Sequence, residues 1–192
     1  MKPQLHFAVL LVYFLILWQP VSAQQTPATK HRLPHSAAAI TETGDPALDL
    51  AILELYGVIS GPAGQKRDWE KFKTMFASGA QMGIVFINKE GIATYKRITP
   101  DEYIASSGKY VEENGFFENE ISRRTERFGQ LVNVWSTYEA RNKATDPKPA
   151  MRGINSIQFV KIGDQYRIAS LIWQQETENL PLPAIYLPSA GR

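Results

Sequence analysis

The chain contains no cysteine, and its three histidines, His6, His31 and His35, all precede Asp45. These two absences exclude disulfide stapling, a cysteine nucleophile, Ser-His-Asp hydrolysis and a zinc site of the His/Cys kind in whatever folds after Asp45. Charge of one sign is lacking too: 21 Lys and Arg face 19 Asp and Glu. Such a balance gives no electrostatic footprint for nucleic acid or an anionic membrane surface. A phosphate loop is also missing, because Gly61, Pro62 and Gly64 are followed by no Gly-Lys-Ser/Thr. No cofactor is expected, and oxygen ligands alone seldom select zinc or copper. His31 and His35 stand in a polar segment and read as solvated rather than ligating.

The single long apolar run is at the start. Lys2 precedes an apolar stretch from Leu5 to Trp18, and Val21-Ser22-Ala23 supplies small residues for a signal peptidase. A run of about fourteen residues is short of the roughly twenty that cross a bilayer. The expectation is a signal peptide over 1–23, cleaved after Ala23, and a secreted or periplasmic protein with no stable membrane association thereafter. Residues 24–44, rich in Thr, Ala, Pro and His with little periodicity, read as a disordered leader.

Order is expected from Asp45-Pro46, an N-cap followed by proline at the first helical position. Leu48, Ile52, Leu55 and Ile59 recur at helical spacing, and Ser60-Gly61-Pro62 ends that helix. Asp68 caps a second helix with Trp69, Phe72 and Phe76 on one face, ended by Ser78-Gly79. Gln81 to Asn88 and Ile92 to Arg97 read as a hairpin around Lys89-Glu90-Gly91. Thr99-Pro100-Asp101-Glu102 has capping-box spacing and opens a third helix, with Tyr103, Ser107, Tyr110 and Val111 as its inner stripe and Asn114-Gly115 at its end. Long strands follow from Phe116, including "LVNVWSTYEAR", "GINSIQFVKI" and "QYRIASLIWQQE".

That order is α+β, with helices gathered on one face of a sheet. The segments "YGVISGPAGQKRDWEKFKTMF", "RFGQLVNVWSTYEAR" and "RGINSIQFVKIGDQYRIASLIWQQE" resemble the nuclear transport factor 2-like (NTF2-like) superfamily, in its SnoaL-like secreted branch. The resemblance covers roughly 45–176 and implies a cone-shaped, cystatin-like fold: three N-terminal helices packed on a strongly curved antiparallel sheet around a pocket. It also implies frequent homodimers. Residues 177–192 then form a Pro-rich tail packed on the domain.

Function has to come from side chains, because such a fold hosts isomerases, cyclases, dehydratases and plain binding modules. No Asp falls within an expected sheet strand, where the isomerases and cyclases of this superfamily place theirs. Glu118, Glu120 and Glu126 share one face of the strand 116–128, with Glu139 on the next strand. Glu120 is the best candidate for a general base, being mid-strand; its competing role is an ion pair with Arg123 or Arg124 on a solvated face. Alternation places Val132, Val134, Ser136 and Tyr138 on one face and Trp135 on the other; the resemblance implies that the first set points inward. Ligand contacts are therefore expected from Tyr56, Glu120, Ser136, Tyr138, Asn155 and Trp173. The leading expectation is a module that takes a small, largely apolar molecule without catalysis. The alternative is an isomerase, cyclase or dehydratase using Glu120 as base and Tyr138 or Tyr56 as oxyanion donor. A homodimer is expected through Trp135, in competition with coverage of that indole by Leu182, Ile185, Tyr186 and Leu187.

Overall fold

A computed structural model describes residues 44–188; the expected signal peptide, all but the last residue of the leader, and His6, His31 and His35 lie outside them. Helix α1 is Pro46–Ile59, opened by the Asp45 carboxylate, which accepts from the amides of Ala47 and Leu48 at 3.2 and 3.3 Å. Its inner face is Leu48, Ile52, Leu55, Tyr56 and Ile59, all buried at helical spacing. Helix α2 is Trp69–Thr74, capped by Asp68. No helix among the described residues is long and apolar enough to cross a membrane.

Six strands form one sheet: β1 Phe76–Ile87, β2 Ala93–Ile98, β3 Phe117–Phe128, β4 Leu131–Arg141, β5 Met151–Ile162 and β6 Gln165–Gln175. Their order is β2-β1-β6-β5-β4-β3. The expected antiparallel sheet is corrected at one seam, where β1 and β6 run parallel. The meander β3 to β6 closes on a strand from the separate β1–β2 hairpin, and a crossover between the two units sets that direction. Register shifts between Glu120 and Ser122, between Gln158 and Phe159, and between Phe76 and Gln81 bend the sheet into a curve.

The helices also differ from expectation. Their order is the expected one, two helices before the hairpin and a third segment between β2 and β3, but their extents are not. Helix α2 stops at Thr74 rather than at Ser78-Gly79, because the Met75 carbonyl accepts from the Ile168 amide at 2.9 Å and β6 draws the chain into the sheet. The third segment is broken into α3 Pro100–Tyr103, a π turn Ile104–Gly108 and α4 Lys109–Asn114. Its Thr99/Glu102 capping box is complete. The widened turn has one local and one tertiary cause: the Ser106 hydroxyl donates back to the Glu102 carbonyl at 2.8 Å, and Gly108 lies against the Trp69 ring.

The inner face of the sheet carries Val132, Val134, Ile157, Phe159, Ile168 and Leu171, packed under α1 and α2. Helix α1 is fastened to β3 at the strand's start. Gly61 and Phe116 exchange both backbone hydrogen bonds, at 2.7 and 3.0 Å, and the Ser60 hydroxyl accepts from the Glu118 amide at 3.0 Å. Arg67 is buried there and donates to the carbonyls of Ile59, Gly61 and Val111, tying the end of α1 to α4.

On the outer face, the C-terminal tail crosses β4 and β3. The Thr137 hydroxyl donates to the Tyr186 carbonyl at 2.7 Å, and the Tyr186 ring meets the Trp135 ring with centroids 5.9 Å apart. Arg124 lies over the same ring. Coverage is partial, leaving Trp135 41 % exposed beside exposed Phe128 and Leu131.

Candidate functional site

A cavity of about 310 Å³ opens between α1, α3, α4 and the inner face of the sheet. The sheet supplies its walls because the alternation of each strand holds across neighbours. Ser136, Asn155, Trp173 and Ile84 lie in one cross-strand row, and Tyr138, Gly153 and Gln175 in the next. Gly153 is required by this packing: a Cβ there would lie 2.6 Å from the Tyr138 hydroxyl and 2.4 Å from the Gln174 carbonyl. The phenol ring lies across the glycine and so reaches the cavity.

Of the residues expected from the sequence, Tyr56, Tyr138, Asn155 and Trp173 line this cavity. Ser136 stands one layer behind it. Glu120 does not line it, which corrects its assignment as base. Arg123 donates from Nε to both Glu120 oxygens at 3.0 and 2.9 Å and from Nη2 to Oε2 at 2.5 Å; its Nη1 donates to Asp49 on α1. The expected competing partner is the one found, but the face is not solvated: Arg123 is 8 % exposed. The register shift after Glu120 is the cause. It returns Arg123 to the face of Glu120, where strict alternation would have sent it outward.

The carboxylate that does reach the cavity is Glu118, two residues earlier. Among the described residues it is the only charged side chain in the lining, and no cation accompanies it. One oxygen accepts from the Asn155 amide at 3.3 Å. Its limited exposed surface borders the cavity and protein encloses the rest, so desolvation pushes its pKa up to about 7, opposed only in part by the Asn155 hydrogen bond. The phenols of Tyr103 and Tyr138 line the same cavity, and neither hydroxyl has a hydrogen-bond partner among the described residues. Burial, then the charge of Glu118, raises the pKa of both, which keeps them protonated.

A buried hydrogen-bonded chain joins the two glutamates. The Ser136 hydroxyl donates to Glu120 at 2.5 Å, so its contact of 2.6 Å with Tyr56 must be made by the phenol donating. The Asn155 amide then donates one hydrogen to the Tyr56 oxygen at 3.1 Å and the other to Glu118. Every hydrogen in this chain is committed. Tyr56 therefore has no proton to offer a bound molecule, which corrects its expected part as an oxyanion donor.

Tyr103 and Glu118 are the functional candidates the sequence reading passed over. Tyr103 was visible as a stripe residue of the third helix, and Glu118 shared its face with Glu120. The aromatic network Phe72–Tyr103–Trp173, with centroids at 5.5 and 6.2 Å, fixes the cavity wall. Among the described residues, no cluster of three or more His, Cys, Asp or Glu side chains is placed to hold a metal ion.

No family model and no curated protein matches this sequence. Solved structures do. A protein of unknown function with a cystatin-like fold from Nostoc punctiforme is similar at 10% identity and a TM-score of 0.53, over 73% of this chain and 97% of that one. The beta subunit of a proposed aromatic-ring-hydroxylating dioxygenase from Novosphingobium aromaticivorans aligns at 13% identity and a TM-score of 0.52, over 76% and 96%. The beta subunit of the benzoate 1,2-dioxygenase from Burkholderia mallei gives 12% identity and a TM-score of 0.50, over 78% and 99%. At these identities the likeness shows the fold alone: an α+β, cystatin-like fold.

Proposed function

We propose that the protein is a binding module whose cavity takes one small, largely apolar molecule, oriented by a single polar contact at Glu118. The observation that carries this reading is the cavity itself: about 310 Å³, walled mainly by apolar and aromatic side chains, with one charged group and, at Tyr103, Tyr110 and Tyr138, three phenols without a partner among the described residues. Concave apolar pockets with few convergent polar groups are the usual form of small-molecule sites. Native mass spectrometry of the protein purified from its own host is the test. An added mass that survives gentle ionisation and is lost on denaturation is expected; a bare protein that also binds none of a panel of small aromatic compounds defeats the reading.

A second reading is favoured by the protonation state of Glu118. A carboxyl titrating near neutrality beside phenols free to donate suits proton abstraction next to a carbonyl. In that case Glu118 takes the role first assigned to Glu120, and Tyr138 or Tyr103 stabilises the enolate oxygen. Hydrogen–deuterium exchange at the α-carbons of cyclic ketones, followed by NMR, would detect this activity; its absence leaves the binding module.

We further propose secretion to the periplasm or beyond after cleavage at Ala23, and a homodimer through the outer face of β3 and β4. Phe128, Leu131 and Trp135 form an exposed apolar patch there, beside the tail. Intact mass should give a chain starting at Gln24, and light scattering should give a dimer that Trp135→Asp dissociates.

A further inference from the structure

We propose that the cavity selects a cationic amine, a small aryl or alkyl ammonium whose charge pairs with Glu118 and whose apolar part fills the aromatic end. This rests on the cavity being a binding site and adds the class of molecule that fills it. Three observations carry it. First, the lining holds one carboxylate and no Lys, Arg or His, and the buried guanidinium on the same sheet face, Arg123, is already engaged by Glu120 and Asp49. An unpaired carboxylate is costly to bury and is of no use to a purely apolar guest. A guest cation offsets that cost.

Second, the acceptors fit. Glu118 keeps one oxygen without a protein donor, and the Tyr103 and Tyr138 hydroxyls have lone pairs open to the cavity. A primary ammonium has three hydrogens to place and no acceptor of its own. Third, seven of the eighteen lining residues are aromatic, Trp173 and Tyr103 among them, and aromatic faces attract cations, organic ammonium ions above all. The titratable groups facing Glu118 are Tyr56 from α1, Tyr103 from α3, Tyr110 from α4 and Tyr138 from β4, with Glu120 on its own strand. None of them supplies positive charge.

The test is calorimetric titration of the full-length mature protein with 2-phenylethylamine and with its uncharged counterpart 2-phenylethanol, between pH 5 and 9. An alkylammonium resembles a lysine side chain and stays charged across this range. The amine should bind at least about tenfold tighter than the alcohol at pH 8. With Glu118 titrating at about 7, its affinity should fall about tenfold between pH 8 and pH 6, while that of the alcohol stays level or rises. Glu118→Gln should abolish the amine preference and its pH dependence. Equal affinities at pH 8, or a preference that survives Glu118→Gln, would overturn the proposal and leave the cavity as a site for neutral molecules. Failure of both probes at every pH would overturn the binding reading together with it. The wild-type pH profile decides the matter even where the variant does not fold.

Discussion

Glu118 and Glu120 stand two residues apart on one strand, face the same side of the sheet and are both largely enclosed, yet their surroundings are opposite. Glu120 is gripped by a guanidinium and a serine hydroxyl, in a cluster that also holds Asp49. Glu118 receives one amide hydrogen and otherwise meets a cavity. Burial by itself therefore does not set the chemistry of a carboxyl; the presence of a fixed cation does. Glu120 is held by partners within the protein, and on the proposed reading Glu118 is left for a group that the protein itself does not supply.

The sharpest way to break this contrast is Arg123→Met. It leaves Glu120 unpaired in the interior and is expected to lower stability by about 3–5 kcal/mol, read from urea unfolding. A loss below about 1 kcal/mol would mean that the ion pair contributes little and that Glu120 is as adaptable as Glu118.

The next effect belongs to Glu118. Its carboxyl titrates at about 7 in the folded chain against an ordinary 4.5, so the folded state holds the proton more tightly than the unfolded one. Stability from this group is present below pH 4.5 and is lost as pH rises to 7, by an amount of order 1–3 kcal/mol. Glu118→Gln should remove that slope and match or exceed the wild type above pH 7. Glu112 works in a separate window: the Lys66 ammonium beside it and the amide of Arg67 hold its carboxyl down to about 2, so its contribution is lost only as pH falls below 4.5. A wild type that gains stability between pH 4.5 and 7, with Glu118→Gln unchanged in slope, would place Glu118 in water.

Two tyrosines sharpen the comparison further. Tyr56→Phe breaks the chain between the glutamates, leaving the Ser136 oxygen short of a donor and an Asn155 hydrogen without an acceptor, at a cost of about 1–3 kcal/mol. Tyr138→Phe removes a hydroxyl that has no partner among the described residues and should change stability by less than about 0.5 kcal/mol while weakening ligand binding. Equal losses from the two substitutions would show that the Tyr138 hydroxyl is bonded in solution.

Much of the frame was legible because its signals are local. Asp45, Asp68 and Thr99 cap helices as their spacing implies, and the stripe Leu48, Ile52, Leu55, Ile59 is the buried face of α1. Alternation put Val132, Val134, Ser136 and Tyr138 on one face, and the choice of that face as the inner one, taken from the family resemblance, agrees with their burial. What escaped was non-local. The parallel seam between β1 and β6 is a pairing of strands about ninety residues apart, with no composition to betray it. The break in the third helix comes from a tertiary contact at Gly108 as well as from Ser106. The choice between Glu118 and Glu120 turned on a single irregularity in β3 that moved Arg123 inward.

That irregularity also governs how the chain tolerates small changes in length. The pair Glu120–Arg123 exists because one extra residue is accommodated between Glu120 and Ser122 against β4. Deleting Ile121 would remove the irregularity yet leave Ser122 opposite Thr137, Arg123 opposite Ser136 and Arg124 opposite Trp135, so Arg123 would stay inward and Arg124 would stay on the outer side over Tyr186. Arg123 and Arg124 occupy opposite sides of one sheet. A single codon lost at Ile121 is thus absorbed without exchanging the internal ion pair for the surface contact, and a substitution at the same position leaves the phase of the strand intact as well.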